Sequence, residues 1–144
     1  MQIQIVRLND AVHLKAINEE GHEVNLDGSE NIGGENLGYR PMQMLLVALG
    51  SCASMDVLSI LNKQRQTIEN YSVHVDGERE PNKVPSLFTN IHVRFEFIGP
   101  LEEKKISRAI ELSMGTYCSV TKTLEKTANI TSSYILNNHE EQRV

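Results

Sequence analysis

Residues 42–61 are the most apolar part of the chain: Met42, Met44, Leu45, Leu46, Val47, Ala48, Leu49, Cys52, Ala53, Met55, Val57, Leu58, Ile60 and Leu61 all fall within this stretch. Wound at 3.6 residues per turn, they cover nearly every face of a helix. Such a helix must be enclosed on almost all sides, by a protein core or by lipid. Twenty residues rising about 1.5 Å each are long enough to cross a bilayer. Gln43, Gly50, Ser51, Ser54, Asp56 and Ser59 interrupt the stretch, however, and a carboxylate inside a membrane is costly. The pattern therefore predicts a buried core helix over 41–64, opened by Pro41 in the first turn. A polar run after Leu61 closes it, with Lys63 near the C-terminal end where the helix dipole favours a cation.

Enclosing that helix needs material, and the chain has 144 residues with four Tyr, three Phe and no Trp. A domain of about 150 residues buries only about 70% of its unfolded surface. A second copy supplying the missing wall is the expectation, so a homodimer packed on this helix is predicted. The alternative is a helix enclosed by its own sheet. One domain over 1–144 is expected at this length.

Around the helix the apolar period changes to two. Ile3 and Ile5, then Val12, Leu14 and Ala16, then Val24 and Leu26 alternate with polar neighbours, predicting a three-stranded meander. Residues 28–38 carry four glycines and no periodicity and read as a loop; Gly33-Gly34 lacks the strand-to-helix setting of a phosphate cradle. Tyr71, Val73 and Val75 predict one arm of a β-hairpin, and Leu87, Thr89, Ile91, Val93, Phe95 and Phe97 the other. Pro100, Glu102 and Glu103 open a second helix with Leu101, Ile106, Ala109, Ile110 and Met114 on one face, ended by Gly115. A third, short helix over 119–126 is capped by Ser119, residues 128–136 form a closing strand, and 137–144 read as a frayed tail. Strands, long helix, strands, two shorter helices and a strand make an α+β architecture.

Nineteen acidic against 14 basic residues give a net charge of -5, and no basic block exceeds Lys104-Lys105. No nucleic acid partner is expected, and no membrane. Two Cys are too few for a secreted disulfide framework, and Met1-Gln2-Ile3-Gln4-Ile5 lacks the basic and apolar regions of a leader, which predicts a cytoplasmic protein. His13, His22, His74, His92 and His139 are scattered without a metal-ligand spacing, so no metal is expected; His74 and His92 read as solvated residues on polar strand faces. Cys52 falls in mid-helix and Cys118 where the second helix turns into the third. Free Cys is commonly packing material, and 66 positions between the two carry no motif. The dipole at a helix N-terminus nonetheless favours a Cys118 thiolate, whereas burial and Asp56 at i+4 would raise the Cys52 thiol. Asp56 itself is expected to pair with Arg40, Lys63 or a group of a dimer mate.

The run Arg40-Pro41-Met42-Gln43-Met44-Leu45-Leu46-Val47-Ala48-Leu49-Gly50-Ser51-Cys52-Ala53-Ser54-Met55-Asp56-Val57-Leu58 resembles the central-helix signature of the OsmC/Ohr family, the osmotically inducible and organic hydroperoxide resistance proteins. Tyr117-Cys118-Ser119-Val120 resembles its second cysteine motif. The likeness extends to the order of strands on both sides. It implies an intertwined α+β homodimer with sites at the subunit interface. It also implies thiol peroxidase chemistry, with Cys52 as the peroxidatic nucleophile and Cys118 as the resolving thiol. The implied partners are an organic hydroperoxide and an external dithiol reductant, with no cofactor. Met42, Met44, Leu45 and Leu49 would form the apolar walls of the substrate pocket. The sequence departs from the family at one point. Where its best-understood peroxidases place an activating Glu, ten residues before the nucleophile, this chain has Met42, and the early loop Asn18-Glu19-Glu20 holds no Arg. Arg40 is the candidate activating cation and Asp56 the candidate orienting group. The competing reading is a non-catalytic dimeric protein of the same fold that binds a small apolar or electrophilic molecule in a stress response.

Overall fold

A computed structural model describes residues 1–144. The chain groups into two compact units, Met1–Leu45 and Leu46–Val144, the division falling inside the long helix. In the first unit the alternating segments form β1 (Ile3–Arg7), β2 (Leu14–Asn18) and β3 (Glu23–Leu26), an antiparallel meander in that order. Ala16 pairs with Ile5 on one side and Val24 on the other. The 28–38 segment is a loop apart from one 3₁₀ turn, Glu30–Ile32. Asp27 holds it. Its side chain is 2% exposed; Oδ1 accepts the Gly28 N–H at 2.7 Å, and Oδ2 accepts those of Glu35 and Leu37 at 3.0 Å each. The Leu37 bond first, with those from Glu35 and Gly28, outweighs burial and keeps this carboxyl below its ordinary range.

The apolar stretch forms α1 (Pro41–Lys63). Pro41 opens it as the sequence predicts, and the Arg40 N–H donates to Gln43 Oε1 at 2.9 Å, one half of a capping box. Arg65, at a left-handed φ of 56°, turns the chain away, with the Gln66 N–H returning to the Leu61 carbonyl. By length and composition alone α1 could span a bilayer, yet its buried residues form one side only: Leu49, Gly50, Ala53, Ser54, Val57 and Leu61.

In the second unit β4 (Asn70–Arg79), β5 (Phe88–Ile98), β6 (Asn129–Leu136) and β7 (Gln142–Arg143) form one sheet in that order. The hairpin partners β4 and β5 are antiparallel, whereas β5 and β6 are parallel. Parallel neighbours need a long connection, here carrying α2 (Glu103–Leu112) and α3 (Ser119–Leu124). One sheet face presents Ile91, Val93, Phe95 and Phe97, which are buried along with Leu49, Ala53, Val57 and Leu61 of α1 and Ile106, Ala109 and Ile110 of α2. Each full burial of a large side chain contributes about 1.5–3 kcal/mol. The other face is polar: Glu96 accepts from Ser72 at 3.2 Å and pairs with Arg94 at 3.1 Å.

The approach of α1 to β4 is set at Gly50, where a Cβ would lie 2.8 Å from Val75 Cγ2. One turn on, Ser54 Oγ donates to the Gly50 carbonyl at 2.6 Å and accepts from the Tyr71 hydroxyl at 2.7 Å. Burial pushes the Tyr71 phenol up to about 12, against that hydrogen bond.

Five sequence expectations change. Strict alternation placed Leu87 inward, but Leu87 is 45% exposed and Phe88 is 6% exposed. A register shift at Glu78/Arg79 reverses the parity, and Phe88 lies over Gly77, where a Cβ would come within 2.6 Å of its ring. Gly115 does not end the second helix: a π-helical turn, Ser113–Tyr117, runs through it. The cap of α3 is Cys118, one residue before Ser119. The tail expected to fray carries β7, paired with β6 through Ser133 and Tyr134. Beside it His92, expected to be solvated, bonds Thr131 Oγ1 and Ser133 Oγ at 2.8 Å each, and Ser133 Oγ donates to Glu141 at 2.5 Å.

Two outcomes follow from these contacts. Gly50→Ala should cost about 1–3 kcal/mol, the usual range for overpacking. Combined with Val75→Ala the loss should be smaller than the sum of the two single changes. Chemical denaturation of the four proteins measures this, and strictly additive costs would mean that the Gly50–Val75 approach is not limiting. Asp27, with its folded pKa lowered, stabilises the loop fully above about pH 4 and loses this as pH falls through the folded value. Hydrogen exchange at the Glu35 and Leu37 amides should show protection that fades in that acid window, and Asp27→Asn should lack the protection at neutral pH.

Candidate functional site

Cys52 and Asp56 are one turn apart on α1 and so share an edge of the helix. Cys118 reaches the same place from a different element. After Leu112 the chain widens into the π-helical turn, with the Cys118 N–H donating to the Ser113 carbonyl at 2.9 Å. That turn leaves Cys118 in extended backbone at the head of α3. Single π turns are frequently found at functional sites. The two sulfurs and a carboxylate oxygen of Asp56 all lie within 4.8 Å of one another. The sequence-nominated Cys52, Cys118 and Asp56 therefore form one cluster.

Exposure within the cluster is graded. Cys118 is fully buried, while Cys52 and Asp56 are half-buried. The Cys118 sulfur accepts the Thr121 N–H at 3.4 Å. The dipole argument for a Cys118 thiolate fails here, because α3 has only six residues and burial dominates. Burial pushes the Cys118 thiol up, the neighbouring Cys52 sulfur adds to this, and Thr121 partly offsets it.

Asp56 meets a hydroxyl where a cation was expected. Ser113 Oγ lies 3.3 Å from Asp56 Oδ2 and 3.2 Å from the Ala53 carbonyl, and no ion pair involves Asp56. Arg40 belongs to the first unit; it is exposed and makes no ion pair. Of the expected pocket residues, Leu49 is fully buried and lines no groove, Met42 and Met44 are half-buried, and Leu45 is exposed. The open apolar groove of the second unit lies elsewhere, between Val47, Gly50, Ser54 and Leu58 of α1 and Val73 and Val75 of β4, with a volume of about 530 Å³. At 100° per residue this groove and the Cys52–Asp56 edge occupy opposite flanks of the helix. Sequence reasoning passed over Ser113 and Thr121. Neither sits in a local pattern, and only the π turn and the cap geometry bring them to the cluster.

The family model for OsmC-like proteins matches residues 33–133. Protein YhfA of Escherichia coli K12 is 40% identical over 115 residues, which cover 79% of this chain and 82% of YhfA. A hypothetical protein from Aquifex aeolicus VF5 has a similar structure, with a TM-score of 0.82 and 29% identity over 96% of this chain and 97% of that one. An organic hydroperoxide resistance protein OsmC from Legionella pneumophila shares the fold, with a TM-score of 0.68 at 13% identity over 93% and 96% of the two chains. Two sheets, a long central helix and two cysteines within the matched residues thus agree with what the motifs implied, and the chain belongs to the family of OsmC-like proteins.

Proposed function

We propose that this protein reduces organic hydroperoxides with a pair of cysteines. The observation that supports the reading is the approach of Cys52 and Cys118 Sγ to within 4.8 Å across 66 positions of sequence. The Cys52 thiolate attacks an oxygen of the O–O bond; an S–O bond forms, and the alkoxide leaves and takes a proton as an alcohol. The Cys118 sulfur then attacks the Cys52 sulfenic acid, the S–S bond forms and water leaves. An external dithiol restores both thiols by exchange. The gradation of burial supports this order of events, since the half-buried Cys52 can meet a substrate and the enclosed Cys118 needs to reach only Cys52. An organic hydroperoxide is the proposed substrate because the chain belongs to the OsmC-like family, whose fold an organic hydroperoxide resistance protein shares.

The working form is proposed to be a cytoplasmic homodimer. Met55 is 71% exposed beside the apolar groove, and Val47 is exposed on the same side of α1. A helix this apolar and open on one side is proposed to be covered by the same helix of a second copy. A binding protein without turnover is the second reading, favoured by the missing cation beside Asp56.

Thiol counting separates the two. One equivalent of an organic hydroperoxide should remove two titratable thiols per chain, and Cys52→Ser should abolish the loss, whereas Cys118→Ser should leave a sulfenic acid that a dimedone-type reagent traps. Thiols that survive prolonged exposure would sink the peroxidase reading. For the dimer, Met55→Glu should shift the sedimenting species from two copies to one; an unchanged distribution would reject this face as the interface.

A further inference from the structure

We propose that the reduced Cys52–Asp56–Cys118 cluster is a binding site for one thiophilic divalent cation of the zinc class. Two thiols and a carboxylate form a donor set of the kind that suits such ions, and all three donor atoms are within 4.8 Å of one another. Tetrahedral zinc, with bonds of about 2.3 Å to sulfur and about 2.0–2.2 Å to oxygen, holds its donors roughly 3.5–3.8 Å apart. The cluster reaches that spacing by closing about 1 Å at its widest, a side-chain adjustment. Three protein donors leave a fourth position for water or another ligand.

Charge points the same way. Asp56 has no cationic partner, its one side-chain hydrogen bond being from the Ser113 hydroxyl. Ionised thiols beside it would bring up to three negative charges together, with no ion pair to balance them. A dication balances two of the three. The outer groups suit this arrangement too. Ser113 Oγ orients the Asp56 carboxylate, and the Thr121 N–H donates to the Cys118 sulfur, as groups behind metal ligands commonly do. Half-buried Cys52 and Asp56 give access, while Cys118 closes the floor. Neither the 66-residue spacing nor the scattered histidines hints at this site, because the ligands come from two elements joined only by the fold.

The proposal stands apart from the peroxidase reading, and the experiment keeps the two separate. The fully reduced chain is titrated with Zn²⁺ against a chromophoric chelator, and with Co²⁺ for its absorption spectrum. One Zn²⁺ per chain is expected, with a sulfur-to-cobalt charge-transfer band and the intense visible bands of a tetrahedral ion. Asp56→Asn and Ser113→Ala should weaken Zn²⁺ binding about 10–100-fold and Cys118→Ser by more than about 100-fold. His92→Ala, in the other polar cluster, should change nothing. Should Cys118→Ser not fold, as judged by circular dichroism and melting, Cys52→Ser at the half-buried position carries the same expectation. Equal affinity in the native chain and the site variants, or cobalt spectra without a sulfur band, would overturn the site. Hydroperoxide-dependent thiol loss, counted with a strong chelator present, reads the peroxidase reading alone. Zinc binding with inert thiols therefore removes that reading and leaves the site, and thiol loss without zinc binding does the reverse.

Discussion

The backbone of α1 can lie against β4 because Gly50 puts no side chain between it and the Val73 and Val75 methyls. That contact sets the rotation of the helix about its own axis. Ser54, one turn further, then meets the Tyr71 hydroxyl, and Leu49, Ala53 and Val57 enter the core. Cys52 and Asp56, on the opposite flank from the groove, come beside Ser113 and Cys118. A rotation by one residue, about 100°, would carry Cys52 to the position of the fully buried Ala53 and remove it from any substrate. The accessibility of one thiol thus depends on a missing Cβ at the other side of the same helix.

The parts of this fold that can be read from sequence are those whose signal is local. Alternation in β4 and β5 follows from one face meeting the core and the other meeting water, and Ile91 to Phe97 obey it. The rule fails at Phe88 because the register shift there is decided across strands, where Gly77 makes room for the ring. Gly115 has the residue type of a helix stop, but the backbone continues as a π turn that no residue type marks. The two residues of β7 have no pattern long enough to detect, and their pairing depends on the open edge that β6 offers at Ser133 and Tyr134. The cysteine pair lies between these extremes. Its members could be picked out by resemblance to a family and Asp56 by its place one turn after Cys52, whereas only the π turn brings the Ser113 hydroxyl to them.

The charge state of a side chain is least legible in sequence where burial competes with dipoles. A helix N-terminus favours a thiolate through groups aimed at it, and Thr121 supplies one such N–H to Cys118. A six-residue helix adds little beyond this, and enclosure of the sulfur raises its thiol in spite of it. Asp56, half-buried, meets the Ser113 hydroxyl at 3.3 Å and no basic side chain, so its charge is left open to a bound ion.

The same two sulfurs cannot serve the proposed cation and the proposed disulfide at once, and this exclusion has a definite chemical direction. If the paired thiolates gave two electrons to a hydroperoxide they would join as a disulfide, with two protons from solvent completing the alcohol and the water, and of the three residues only Asp56 would still be able to hold an ion. In the reverse direction, reduction by an external dithiol regenerates two thiols beside a carboxylate that has no other cation. A cation held there would favour the thiolate of Cys118, whose thiol burial and the Cys52 sulfur push up. A bound cation would supply beside Asp56 the positive charge that no basic side chain provides there. Occupancy would make the pair more ionised but less free to attack, so the two uses of the cluster compete for the same electrons on sulfur.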